Sequence, residues 1–254
     1  MGNSLLAIEI VEDLTPQSTC DKGYLTLKRL RVRNRYGDGS ASDPYPCDVL
    51  HRPGSDAVVA VLYEIDAAGQ VQVLLREAPR VPIYLRKDSS FVHPDPREYL
   101  TILEVVAGMV EATDPAGLPG MQKRAAAEAE EEAGAVVPAE RFQMLGGETF
   151  ASPGTGDEKL YFTVAPTELD HAHGGDGDGS IMEEWGQILK MELGEALRRT
   201  RTGEIPDMKT EVALSRLADH LGYIPQLACF AKDLPAHIAC NYDRLGVHAS
   251  SNNA

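Results

Sequence analysis

Glu128, Glu131 and Glu132 stand close together ahead of Gly134, in a stretch rich in strong helix formers. At about 100° per residue, Glu131 falls about −60° and Glu132 about +40° from Glu128, an arc of roughly 100° on one helix face. Arg124 lies about −40° from Glu128 on that face, while Glu130 points the other way. Like charges at this spacing destabilise a helix by roughly a few tenths of a kcal/mol per pair. Their place near the helix C-terminus, where the dipole disfavours anions, adds to the cost. Helix stability alone does not select such a cluster. It suits either a solvated acidic face or a site neutralised by divalent cations, since hard Mg²⁺ favours carboxylate oxygens and leaves positions for phosphate. On charge crowding alone, Glu132→Gln is expected to leave the fold neutral or slightly more stable.

The surrounding elements must present that face. Residues 56–64 form an apolar strand run, residues 66–69 a turn, and residues 71–75 a returning strand, which together predict a hairpin. Residues 82–99 read as an irregular loop, and residues 100–106 as a strand ending at Ala107 and Gly108. An exposed insert is expected over 112–120, a helix over 121–133, and a stop at Gly134. Short strands follow at 142–148, 159–164 and 187–193, with a polar Gly/Asp-rich loop over 166–183. One helix is expected around residues 195–199, ending near Gly203, and another from the N-cap Asp207 to Gly222. Strands interleaved with a few helices indicate an α/β fold, a mixed-sheet sandwich. Ahead of it, residues 24–35 alternate apolar and polar in the manner of a half-exposed strand. Their phase slips at Lys28 and Arg29, which suits a bulge or a break. The organisation is thus an amino-terminal β-region over 1–50, a main domain over 51–224, and a partly flexible extension over 225–254 with a frayed end.

Composition narrows the function. The 254 residues carry 24 Lys and Arg against 39 Asp and Glu, a net charge of −15, with 43% apolar residues. That field repels phosphate backbones, so non-specific nucleic-acid binding is a poor fit. A diphosphate substrate would need local cations, metal or arginine. No run approaches the roughly 18–20 apolar residues that span a bilayer. The amino-terminal sequence lacks the basic start of a signal peptide. The cytoplasm is therefore expected, with Cys20, Cys47, Cys229 and Cys240 as free thiols. The segment around His171, His173, Asp176 and Asp178 fails as an EF-hand, because Ile181 and Gln187 stand where Gly and Glu are required.

In order, Gly108, the insert, Glu128, Glu131, Glu132, Gly134 and Ala135 resemble the Nudix box, G-x5-E-x7-R-E-U-x-E-E-x-G-U with U apolar. The resemblance implies a Nudix-type α/β/α sandwich. It also implies Mg²⁺, or Mn²⁺, held by Glu128, Glu132 and the Ala107 carbonyl. The segment departs from the pattern in two ways. It is five residues longer between its glycines, and Ala127 replaces the arginine that orients a box glutamate. Arg124 is the candidate to replace it. Pro119 stands where the loop glutamate aligns when counted from the helix.

Further along, Ser152, Pro153 and Gly154, followed by Glu158, resemble a signature of Nudix ADP-ribose and nucleoside-diphosphate-sugar pyrophosphatases. Residues 203–211 resemble the same group's entry to its C-terminal helix. By that likeness Pro153, Gly154 and Glu158 are substrate-binding candidates, with Arg76 and Arg80 as nucleotide contacts, since a guanidinium can grip phosphate bidentately. Arg86 and Lys87 are weaker candidates. A late loop in that group supplies a base or a further ligand, which here points to Glu184 and its neighbour Glu183. Glu131 joins them as a catalytic candidate.

The implied activity is Mg²⁺-dependent cleavage of ADP-ribose to AMP and ribose 5-phosphate. A nucleoside-diphosphate sugar is the rival substrate. A non-catalytic nucleotide-binding module is the rival role, favoured by Ala127. The amino-terminal β-region resembles one that builds a homodimer in this subgroup.

Overall fold

A computed structural model of the chain describes residues 25–38, 42–52, 54, 56–174 and 186–243. The described elements form a mixed α/β sandwich with an eight-stranded mixed sheet, and a separate two-stranded sheet lies on the amino-terminal side. The expected α/β class therefore holds. The central pair is β3 (Ala57–Ile65) and β9 (Lys159–Pro166), which run parallel. β3 alternates between two buried faces. Val59 and Val61 pack with Leu193, Leu197, Leu214 and Leu217 on one side, and Val58, Ala60 and Leu62 pack with Ala125, Ala129 and Ala133 on the other. Each large apolar side chain so buried contributes about 1.5–3 kcal/mol. Helices cover both faces, which is why the strand reads as continuously apolar. α2 (Leu118–Ala133) covers one, and α3 (Leu193–Arg201) with α4 (Met208–Leu221) covers the other. These three follow a four-residue helix, α1 (Val81–Tyr84).

The expected hairpin is present. β4 (Val71–Pro79) returns antiparallel to β3 through a turn held by Asp66, whose Oδ1 accepts the Ala68 and Gln70 N–H groups at 2.9 Å. The two strands pair only at Tyr63–Ile65 and then diverge. The expected single strand 100–106 enters this fork as two. β5 (Thr101–Glu104) pairs with β4, and β6 (Val106–Met109) pairs with β3. Val105 marks the break, and its N–H is satisfied by Thr210 Oγ1 of α4 at 3.0 Å. Thr210 and Asp207 belong to the N-terminus of α4, which Asp207 caps as expected, accepting the Thr210 N–H at 3.0 Å.

Other differences have local causes. The strand expected over 142–148 shrinks to β7 (Gln143–Met144) and β8 (Thr149–Phe150), interrupted by Gly146 at a φ of +79°. β10 (Gln187–Glu192) ends one residue early because Glu192 caps α3, accepting from the Gly194 and Glu195 N–H groups. The alternating amino-terminal segment forms β1 (Thr26–Val32), paired without a bulge to β2 (Tyr45–His51). Beyond Gly222, a short hairpin of β11 (Tyr223–Ile224) and β12 (Cys229–Phe230) leads to α5 (Ala236–Asp243), which composition did not announce. Among the described residues, no helix is long and apolar enough to cross a membrane. The described cysteines Cys47, Cys229 and Cys240 form no disulfide.

The insert does not simply bulge outward. α2 begins at Leu118, three residues earlier than expected, and Gly120 lies under the insert. A Cβ on Gly120 would stand 1.8 Å from the Pro115 carbonyl oxygen. Helix propensity alone favours Ala over Gly by about 1 kcal/mol. Gly120→Ala is instead expected to lower the thermal midpoint by roughly 2 °C or more, a net cost above about 1 kcal/mol. A higher midpoint in a melting curve would mean that the insert does not rest on the helix.

Candidate functional site

The helix that carries the glutamates is closed at its C-terminal end. Gly134 ends α2 at a φ of +58°, its N–H reaching the Glu130 carbonyl while Ala135 N–H reaches Ala129, a Schellman-type closure. Ala125, Ala129 and Ala133 press one side of α2 onto the sheet. Alanine lets the helix come close, and Glu128 and Glu132 on the adjoining arc thereby reach β6.

Both carboxylates are buried against consecutive residues of that strand. Glu132 Oε2 accepts the Ala107 N–H at 3.1 Å. Glu128 covers Gly108 so closely that a Cβ there would fall 1.7 Å from its carboxylate carbon. This contact gives the first motif glycine a physical reason, since any side chain would displace the carboxylate. Glu131 is half-buried on α2. Glu128 and Glu132 are thus both seated on β6, at Gly108 and Ala107. Two carboxylates suit Mg²⁺, which keeps several waters and uses few protein ligands.

Arginines hold the two glutamates. Arg76 of β4 donates from Nη1 to Glu132 Oε1 at 2.5 Å, with side chains only 3% and 5% exposed. Burial outweighs the opposing pull of Arg76 and the Ala107 N–H, and the Glu132 carboxyl is pushed up to about 7. Arg124 stands 3.6 Å from Glu128 on α2, 2.9 Å from Glu111 and 3.0 Å from Asp114. Arg124 thus lies within ion-pair reach of Glu128 from the turn before Ala127, with its shorter contacts going to Glu111 and Asp114.

Asp114 is the residue that sequence reasoning missed here. Counted forward from Gly108 it falls where the motif has its loop glutamate; counting back from the helix gave Pro119. Its side chain is fully buried and takes hydrogen bonds from Arg124, Lys123 and the Glu111 N–H. Burial pushes its carboxyl up, but those donors prevail and hold it down at about 2.

A second charged group adjoins the first. Glu104, directly opposite Arg76 in the β4–β5 register, accepts from Arg80 Nε at 2.6 Å and from Lys209 Nζ. Lys209 also reaches Asp207 at 2.9 Å. Neither Glu104 nor Lys209 stood out in the sequence. Each is one charged residue in an acidic chain, and their partner lies 105 positions away.

The substrate-binding candidates separate. Arg76 is buried on Glu132, so its observed partner differs from the nucleotide that the resemblance implies. Arg80 is paired with Glu104 but remains 39% exposed. Pro153 and Gly154 sit in an exposed turn beside the amino-terminal sheet, where Leu50 N–H reaches the Thr155 carbonyl at 2.7 Å. Glu158 pairs with Arg52 at 3.3 Å and, with Leu25, Leu50 and Pro82, lines a cavity of about 450 Å³. Arg86 is engaged by Asp95 and stacked on Phe91, and Lys87 by the Tyr84 hydroxyl. Glu183, Glu184 and Trp185 lie outside the described residues, as do Cys20 and residues 244–254 of the tail.

The buried Arg76–Glu132 pair reverses one expectation. Glu132→Gln does more than relieve crowding, because it leaves Arg76 buried without its counter-charge, a change that costs about 3–5 kcal/mol in such pairs. No protein-family model matches the chain, and no curated protein matches it.

Asp114 supplies a pH test. A carboxyl held below its ordinary value stabilises the fold above that value and loses the contribution as pH falls toward the folded one. The window runs from the ordinary 3.8 to about 2, and the contribution is on the order of 2 kcal/mol. Asp114→Asn should lose most of that at pH 6, and its deficit against the unsubstituted chain should shrink between pH 4 and 2. A deficit that stays constant in denaturant titrations across this window would refute the Arg124–Asp114 pairing.

Proposed function

We propose that this chain is a Nudix-type, Mg²⁺-dependent diphosphate hydrolase with ADP-ribose as its leading substrate. The observation that carries the reading is the seating of Glu128 and Glu132 on Ala107 and Gly108, each with its own arginine. An oxygen-only donor set of this kind at the mouth of a sheet fork has no evident use in stability.

Glu128, Glu132 and the Ala107 carbonyl would hold the ion. When bound, Mg²⁺ would supply Lewis-acid stabilisation of the charge that develops on the leaving phosphate and a more acidic water. Arg76 and Arg124 keep the two carboxylates facing β6, so little reorganisation is needed when substrate arrives. In the reaction the water oxygen bonds to one phosphorus, the P–O bond of the bridge breaks, and the water's proton passes to a base. Glu131, Glu183 and Glu184 are the candidates for that base. The products from ADP-ribose are AMP and ribose 5-phosphate.

A non-catalytic nucleotide-binding module is the second reading. Position 127 is an alanine, and both carboxylates are already balanced by arginine, as a module without metal would have them. Mg²⁺-dependent phosphate release from ADP-ribose, read with a coupled phosphatase, separates the two. A panel of nucleoside-diphosphate sugars then ranks substrates. Glu128→Gln should lower kcat by about 100-fold or more while shifting the thermal midpoint little, since Arg124 keeps Asp114 and Glu111. Absence of Mg²⁺-dependent turnover in the unsubstituted chain, or near-normal turnover in the variant, would sink the hydrolase reading.

The homodimer belongs to the same proposal. One face of the β1–β2 ribbon presents Leu30, Val32, Tyr45, Cys47 and Val49, exposed or half-exposed. A two-stranded ribbon is only marginally stable alone, and a twofold partner would cover this face. Light scattering should give twice the chain mass at micromolar concentration. The monomer mass would remove the dimer from the proposal.

A further inference from the structure

We propose that Arg76 is the positioning residue for Glu132, supplying from β4 the orientation that Ala127 leaves open on α2, and that it makes no contact with substrate. The inference rests on the hydrolase reading, because it assigns Glu132 a metal to hold.

Three observations converge on it. The Arg76 guanidinium is buried and donates to one Glu132 oxygen at 2.5 Å, while the Ala107 N–H takes the other at 3.1 Å. Gly186 adjoins the guanidinium, where a Cβ would stand 2.8 Å from Nε and 3.3 Å from Cζ. Glu104, the nearest alternative acceptor across the register, is taken by Arg80 and Lys209. Among the described residues, Arg76 is thus covered by Gly186 on one side and bonded to Glu132 on the other. Arginine also suits the task better than lysine, because a planar fork fixes the carboxylate's direction as well as its charge.

Partners of metal ligands commonly set affinity by about 10- to 100-fold. The test uses the full chain with Arg76→Met, Arg76→Lys and Gly186→Ala. The last keeps the arginine and pushes the guanidinium out of place. Two measurements are made on each. Mn²⁺ binding to substrate-free protein is followed by electron paramagnetic resonance, and kcat and KM for ADP-ribose are taken at saturating metal.

Arg76→Met should weaken Mn²⁺ binding about tenfold or more and lower kcat, with KM within about threefold of normal. Arg76→Lys should recover part of the loss. Gly186→Ala should move both readouts in the same direction as Arg76→Met, and with the lysine variant it carries the test if the methionine variant does not fold. Unchanged Mn²⁺ affinity across the variants, or a KM raised tenfold with Mn²⁺ binding intact, overturns the proposal and makes Arg76 a substrate contact. An unsubstituted chain that neither binds Mn²⁺ nor hydrolyses ADP-ribose overturns the hydrolase reading itself. A chain that does both while the variants bind metal normally overturns only the role of Arg76.

Discussion

Glu132 is a carboxylate placed where water barely reaches, and its burial constrains much of what surrounds it. Taking a charged carboxylate out of water costs several kcal/mol unless a counter-charge and hydrogen bonds replace the lost hydration. Arg76 supplies the charge and Ala107 the backbone donor. Arg76 is itself buried, on the part of β4 that no longer pairs with β3. The parting leaves two strand edges exposed, and β5 and β6 enter to pair with them. The fork, the break at Val105 and the Thr210 hydroxyl that satisfies it thus adjoin one ion pair between helix and sheet.

The neighbouring charges extend the same logic through the sheet. Arg76 and Glu132 connect to α2, while Arg80, Glu104, Lys209 and Asp207 connect to α4 on the opposite face. Three cations meet three carboxylates. Removing one member of such a group strands a partner, whereas an apolar replacement of the whole would be neutral or stabilising. The arrangement is therefore poorly explained as a stability device. It ties the glutamate helix, the fork and the N-terminus of α4 into one unit, so the seats of Glu128 and Glu132 do not shift independently of the sheet.

The sequence was legible wherever information is local. The hairpin, the glutamate helix with its Gly134 stop, and the Asp207 cap each follow from a periodicity or a capping residue within a few positions. The arc that holds Glu128 and Glu132 was likewise readable from helical geometry. What escaped was set at long range. Arg76 and Glu132 lie 56 positions apart, and nothing in either's neighbourhood names the other. The β5–β6 break is fixed by Thr210, 105 positions away. Glu132→Gln looked harmless because the helix alone shows only crowding, while the opposing charge comes from the sheet. Asp114 escaped because counting from one end of an expanded motif hides what counting from the other reveals.

Charge connects this packing to the proposed chemistry. The cations nearest the site are already committed: Arg76 to Glu132, Arg124 to Glu128, Glu111 and Asp114, and Arg80 and Lys209 to Glu104. In a chain of net charge −15, such a site offers a diphosphate little attraction of its own. A divalent ion on Glu128 and Glu132 would reverse the local sign while leaving both arginines where they are. The arginines would hold the two carboxylates in direction before an ion arrived, which would lower the cost of gathering them around it. On this argument affinity for substrate follows the metal, whereas the burial of Arg76 and Arg124 governs how well that metal is held.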